Sequence, residues 1–209
     1  AGTGKSTVAK ILAQRLGFEF LNTGAMYRAV AYACLKREID LSDNEAVGQV
    51  PSQIEIVFPN NRLLLDGHDV TEAIREQEVT LGASVVAANP TVRSNLVSLQ
   101  QAAARGTNLV TEGRDQGTVV FPNAECKFFL TASPEERALR RQLELNAKGQ
   151  FIPIDELLTQ QTLRDERDQS RECSPLVPAA DALIIDTTHL TLEAVAAQLE
   201  THIRQRMAT

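Results

Sequence analysis

The sequence predicts an α/β fold: a three-layer domain with a parallel central sheet and a small β-rich insertion. Three observations carry this. Residues 1–7 read Ala-Gly-Thr-Gly-Lys-Ser-Thr, the back half of the phosphate-loop signature G-x-x-x-x-G-K-[ST], and apolar residues at helical spacing follow at once. Short apolar runs then alternate with helical patterns, which suits parallel strands covered by helices. One stretch breaks that rhythm with period-two alternation and turn residues.

The elements follow in order. Glycines let consecutive backbone N–H groups curl around phosphate oxygens, and the loop opens into a helix whose N-terminus favours anions. Residues Ala1, Gly2, Thr3, Gly4, Lys5, Ser6 and Thr7 are therefore read as the triphosphate cradle. Lys5 is placed to reach the β- and γ-phosphates and Ser6 to bind Mg²⁺. Val8, Ile11, Leu12 and Leu16 give the helix its apolar face, and Gly17 stops it. The signature's first glycine would lie two residues ahead of Ala1, with the strand feeding the loop ahead of that. Residues 1–209 alone are accordingly expected to be less stable than a chain carrying that strand, which would otherwise pair with two neighbours.

Residues 18–21, 108–110, 127–130 and 182–185 read as buried strands. Residues 53–58 alternate, Asn60-Asn61 turns the chain, 63–65 return and Asp66-Gly67 turns it again, giving a hairpin-rich insertion. Ser133-Pro134-Glu135-Glu136 marks a helix start, with Ser as cap, Pro at the first helical position and Glu at the third. Another helix is expected to start near Asp155 and stop before Pro175.

Composition narrows the function. At 209 residues the chain suits one α/β domain with a small insertion, and 43% hydrophobic residues suffice for a core. A formal net charge of −6 argues against nucleic acid as a partner. No apolar run is long enough to span a membrane. Cys34, Cys126 and Cys173 are far apart and odd in number, which fits neither a disulfide framework nor a C-x-x-C metal site. A reduced, cytoplasmic setting is the simplest fit, and nothing suggests a large apolar interface, so a monomer is expected.

Four further patches stand out: residues 21–28, Leu-Asn-Thr-Gly-Ala-Met-Tyr-Arg; residues 84–93; residues 112–122, Glu-Gly-Arg-Asp-Gln-Gly-Thr-Val-Val-Phe-Pro; and residues 164–176. Together with the phosphate loop they resemble the bacterial cytidylate kinases, a nucleoside monophosphate kinase family of the P-loop NTPase fold, over essentially the whole chain. The Gly-Arg-Asp-x-Gly-Thr-Val-Val-Phe-Pro and Thr-Gly-Ala-Met-Tyr-Arg strings are the most specific parts. The resemblance implies transfer of the ATP γ-phosphoryl group to CMP or dCMP with Mg²⁺, a nucleoside-monophosphate-binding insertion over 37–90 and a lid over 133–172.

It also implies roles. Thr23 falls on the acceptor side, and Arg28, Arg114 and Arg171 hold the acceptor phosphate, for which several guanidinium forks suit a dianion. Arg114 lies just past a predicted strand, at the carboxyl end of a parallel sheet, where open α/β proteins bind ligands. Ser84, Arg93 and Asp115 read the base. A carboxylate accepts from cytosine N4 and a guanidinium donates to N3 or O2, whereas uracil reverses that edge and leaves both partners mismatched. Ser84 by residue type alone is an ordinary helix serine.

Arg164, Arg167, Asp168 and Arg171 fall at i, i+3, i+4 and i+7, one face of a helix. A solvated salt-bridge stripe is the plain reading; the resemblance assigns Arg164 and Asp168 to the sugar and Arg171 to the phosphate, with at least one residue of the face mainly structural. Arg137, Arg140 and Arg141 resemble lid residues over ATP. Arg140 and Arg141 splay by about 100° on one helix, so Arg137 and Arg141, four apart, are favoured. Two residues depart from many relatives: Asn22 stands where Asp is common, and Glu112, a candidate for water-mediated Mg²⁺ contact, stands where some have Asp. Three alternatives remain at this level: a kinase for another small acceptor such as UMP or shikimate, a nucleotide-binding module without turnover, and an inactive fragment.

Overall fold

The structure is a computed structural model, and it describes residues 2–59, 62–147, 149–170 and 174–208. Ala1, the Asn60-Asn61 turn, Arg171 and Cys173 lie outside the described residues. The chain divides into two compact units, Ala1–Phe20 with Asn108–Thr209, and Leu21–Thr107. The elements run α1 (Lys5–Leu16), β1 (Glu19–Asn22), α2 (Thr23–Lys36), α3 (Asn44–Gln49), β2 (Ile56–Val57), β3 (Leu64–Leu65) and β4 (His68–Asp69). There follow α4 (Gln77–Val86), α5 (Pro90–Ala103), β5 (Leu109–Glu112), β6 (Phe128–Thr131), α6 (Pro134–Asn146), α7 (Ile154–Gln169), β7 (Leu183–Asp186) and α8 (Leu192–Met207). The α/β expectation holds and the four predicted strands are present, each starting one residue later than expected. They are not buried as expected: β1, β5 and β6 are largely half-buried and β7 is exposed except at Ile185, because each lies in a two-stranded sheet among the described residues.

In the first unit β6 and β7 are parallel, in register from Phe128 opposite Leu183 to Thr131 opposite Asp186. The portion of β1 in this unit lies beside β5, where the Glu19 amide donates to the Asn108 carbonyl at 2.9 Å. Helix α1 buries Val8 and Leu12 against Val195, Ala196, Leu199 and Ile203 of α8 and Ile185 of β7. Each such aliphatic side chain removed from water contributes about 1.5–3 kcal/mol. Helices α6 and α7 form a second, smaller core from Ala138, Leu145 and Leu157. The predicted cap is present, since Ser133 Oγ accepts from the Glu136 amide at 3.2 Å.

The second unit is built on α2, which buries nine of its residues, Ala29, Val30, Ala31 and Cys34 completely. It packs on α4 at Gly82, where an added Cβ would stand 3.5 Å from Ala31 Cβ of α2 and 2.9 Å from Leu41 Cδ1 of the following loop. The hairpin-rich insertion is an antiparallel meander, β2-β3-β4. Leu64 pairs with Asp69 and Leu65 with His68 around the Asp66-Gly67 turn, in which both φ values are positive, 50° and 80°. That is the mirror-image turn a two-residue hairpin prefers, and Asp-Gly supplies it. Strand β4 escaped the sequence reading because His68 and Asp69 are polar, exposed and only two residues long.

Candidate active site

The site starts at the N-terminus of α1. Gly2 and Gly4 both adopt φ of +81°, which L side chains rarely take. A Cβ on Gly2 would stand 2.8 Å from the Arg137 carbonyl oxygen, and one on Gly4 would stand 2.8 Å from Leu192 Cδ2. The left-handed turn favours glycine at both positions, and the close approach of the α6 backbone requires it at Gly2 as well. Lys5 follows and donates from Nζ to Thr3 Oγ1 at 3.2 Å. Ser6 donates from Oγ to Glu112 Oε1 at 2.9 Å, tying the loop to the carboxyl end of β5. Burial, and after it repulsion from Arg114 and Arg164, lower the Lys5 pKa from 10.5, although Glu112 and Asp165 pull the other way.

Beyond β5 the chain turns through Gly113, Arg114 and Asp115 into a π-helical turn, Gln116–Val120. The Asp115 carbonyl accepts from the amides of Thr118, Val119 and Val120, and the Phe121 amide reaches the Gln116 carbonyl at 2.7 Å. Such wide turns recur at functional sites because they swing side chains out of the regular helical path. Asp115 is buried, 5% exposed. Arg114 donates from Nε to Asp168 of α7, a carboxylate only 1% exposed and 54 residues away in sequence.

The three arginines of α6 differ in what holds them. Arg137 abuts Gly2 with its backbone, ion-pairs through Nη1 with Asp165, and accepts at its carbonyl from Gln161 Nε2 at 3.2 Å. Arg140 is turned to the end of β7, donating to Thr187 Oγ1 at 3.1 Å and to the Thr187 carbonyl at 2.6 Å. Arg141 pairs with Glu144 in solvent. On α7, Asp168 is buried, Arg164 half-buried and Arg167 exposed, so Arg167 is the solvated member of the charged face. Asp165 and Gln161 are the residues the sequence reading missed here; they lie three and seven positions before Asp168, on the same helix face.

In the second unit, Thr23 is buried at the start of α2. Asn22 Oδ1 accepts from the Ala25 amide at 3.0 Å, so the amide at this position caps the helix as a carboxylate would. Arg28, half-buried, lies one turn further along. Arg93, 6% exposed, lies over the Tyr27 ring at 5.6 Å and donates from Nη1 to the Ala87 carbonyl at 3.3 Å. A ring face under a guanidinium both attracts the cation and keeps its plane fixed. Tyr27 stands in the Thr-Gly-Ala-Met-Tyr-Arg string but carried no role in the sequence reading. Ser84 is half-buried on α4 beside the exposed Leu81 and Val85.

Comparison with known proteins gives the family. The family model described as cytidylate kinase matches residues 1–205. Among curated relatives, the cytidylate kinase of Desulfitobacterium hafniense is 48% identical over 93% of this chain and 85% of its own length. That of Pelotomaculum thermopropionicum is 48% identical over 93% and 88%, and that of Pseudomonas paraeruginosa 44% identical over 99% and 93%. With its glycine-lined loop, a half-buried lysine, a hydroxyl joined to a carboxylate and an arginine just past β5, the chain belongs to the cytidylate kinase family.

Proposed function

We propose that the chain transfers the γ-phosphoryl group of ATP to the 5′-phosphate of CMP or dCMP, giving CDP or dCDP and ADP. The observation that supports it most is the triad of Lys5, Ser6–Glu112 and Arg114–Asp168, gathered in the first unit of a chain matched over residues 1–205 by the cytidylate kinase family. The attacking phosphate oxygen is already anionic, so no strong general base is needed. The barrier is the approach of two polyanions and the charge of the in-line transition state. Loop amides, Lys5 and the arginines offset that charge, and alignment of the two phosphates contributes about 7–11 kcal/mol.

Residues divide the work. Residues 1–7 would cradle the ATP phosphates, with Arg137 and Arg141 as the lid cations. Arg28, Arg114 and Arg171 would hold the acceptor phosphate, with Thr23 nearby, and Arg164 the sugar. Asp115 would accept from cytosine N4, while Arg93 would donate to N3 or O2 and Ser84 would complete base reading. The Ser6 hydroxyl and the Glu112 carboxylate are hard oxygen donors joined at 2.9 Å, a pair that fits Mg²⁺ directly or through water. Bound there, the ion would neutralise phosphate charge. Water, the competing acceptor, would have to be kept out of the site during transfer. The free thiols Cys34 and Cys126 support a reduced, cytoplasmic setting; among the described residues no helix is long and apolar enough to cross a membrane.

A coupled assay across CMP, dCMP, UMP, AMP and shikimate tests this reading. CMP and dCMP should lead, with UMP far behind. Asp115→Ala should lower kcat/KM for CMP by about 100-fold or more while the KM for ATP stays within about threefold, because a buried mismatched edge is costly. Unchanged CMP turnover in that variant would refute the base-reading role.

A further inference from the structure

The Arg114–Asp168 pair carries a role that sugar recognition does not. Asp168 is 1% exposed, and an ionised carboxylate so deeply buried needs a partner with good geometry. One partner is Arg114, engaged through Nε, while its Nη1 and Nη2 nitrogens make no hydrogen bond to a described residue. A guanidinium gripped at Nε has lost its rotational freedom yet still presents N–H donors to an anion. The α7 backbone is anchored at the same point, since the Leu176 amide donates to the Asp168 carbonyl at 2.8 Å. Arg114 also pushes electrostatically on Lys5, which places its cation close to the phosphate loop.

We propose that Asp168 is a positioning residue that acts through Arg114: it fixes the guanidinium so that its free terminal nitrogens meet the phosphate being phosphorylated. The role rests on the phosphotransfer reading above and differs from sugar recognition in what it couples to. A sugar reader responds to hydroxyls on the acceptor. A positioning residue responds to the presence of Arg114 and ignores the sugar.

The experiment uses CMP and 2′,3′-dideoxycytidine 5′-monophosphate, which keeps the base and phosphate and lacks both hydroxyls. Asp168→Asn should lower kcat/KM for both acceptors by the same factor, about 10- to 100-fold, expressed mainly in kcat. In an Arg114→Ala background the same substitution should cost less than about threefold, because the interaction it serves is already gone. Asp168→Glu keeps the charge but displaces it by a methylene, and should show the same loss for both acceptors at a thermal midpoint near that of the parent. This variant carries the test if Asp168→Asn does not fold. A loss confined to CMP, or equal losses with and without Arg114, would overturn the proposal. Absence of turnover by the parent chain with either acceptor would instead overturn the underlying phosphotransfer reading, so the two failures are distinguishable.

Discussion

The two ends of α1 carry comparable charge and do opposite things with it. At the C-terminal end Arg15 reaches Glu193 and Glu200 of α8, and Arg204 donates to Glu200 at 2.8 Å and to the Arg15 carbonyl at 3.4 Å. Every cation there has an acceptor within the chain, at the solvent boundary. At the N-terminal end Lys5 has a neutral hydroxyl as its hydrogen-bond acceptor, stands among arginines, and has its pKa lowered by burial first and by Arg114 second. The difference teaches where binding energy is stored. Exposed pairs that already satisfy one another have little left to give. A half-buried cation whose charge is disfavoured in the free protein gains from an incoming polyanion, with the α1 dipole adding to the attraction.

The comparison breaks most easily at Lys5. Lys5→Ala should reduce kcat about 10²–10³-fold for every acceptor, CMP and dCMP alike, in steady-state assays. A loss confined to one acceptor would mean that Lys5 serves the acceptor rather than ATP. A smaller effect should follow from Glu112→Gln. The amide oxygen can still accept from Ser6, but the charge is gone, so the Mg²⁺ concentration for half-maximal activity should rise about 10- to 100-fold. Unaltered Mg²⁺ dependence would remove Glu112 from the metal site.

Proton linkage sharpens the contrast. Phosphates binding beside Lys5 stabilise its charged form and raise a pKa that the free protein holds below 10.5. In the window between the lowered value and 10.5, ATP binding should take up a proton, and ATP affinity should fall as pH rises through it. Titration calorimetry in buffers of different ionisation enthalpy measures the uptake, and Lys5→Ala should abolish it. The smallest effect belongs to the other end. Arg15→Ala should leave kcat and both KM values unchanged and lower the thermal midpoint by no more than about 2–4 °C. A catalytic defect in Arg15→Ala would show that the two ends are coupled along α1.

Much of the fold was legible because its signals are local. The phosphate loop, the Gly17 stop, the Ser133 cap and the Asp66-Gly67 hairpin each depend on residues a few positions apart, and each is found where the sequence put it. The strands were read one residue early, because flanking residues such as Asn108 and Lys127 contribute carbonyls to the ladder without belonging to it. The charged face of α7 was legible as a periodicity but not as a set of partners. Arg164, Arg167 and Asp168 look equivalent in sequence, yet the fold leaves them half-buried, exposed and buried.

By itself, the sequence determined the α/β class, the phosphate loop and the choice of residue types for a nucleotide phosphotransferase. Those follow from backbone sterics, helical and strand periodicity, and hydrogen-bond chemistry, all short-range. Tertiary structure alone decided which polar groups meet: Asp168 with Arg114 across 54 residues, Asp165 with Arg137 across 28, Ser6 with Glu112 across 106. It also turned Arg140 to Thr187 and left Arg141 with Glu144. Burial sets the strength and the pKa of a charge, and burial depends on elements far apart in the chain.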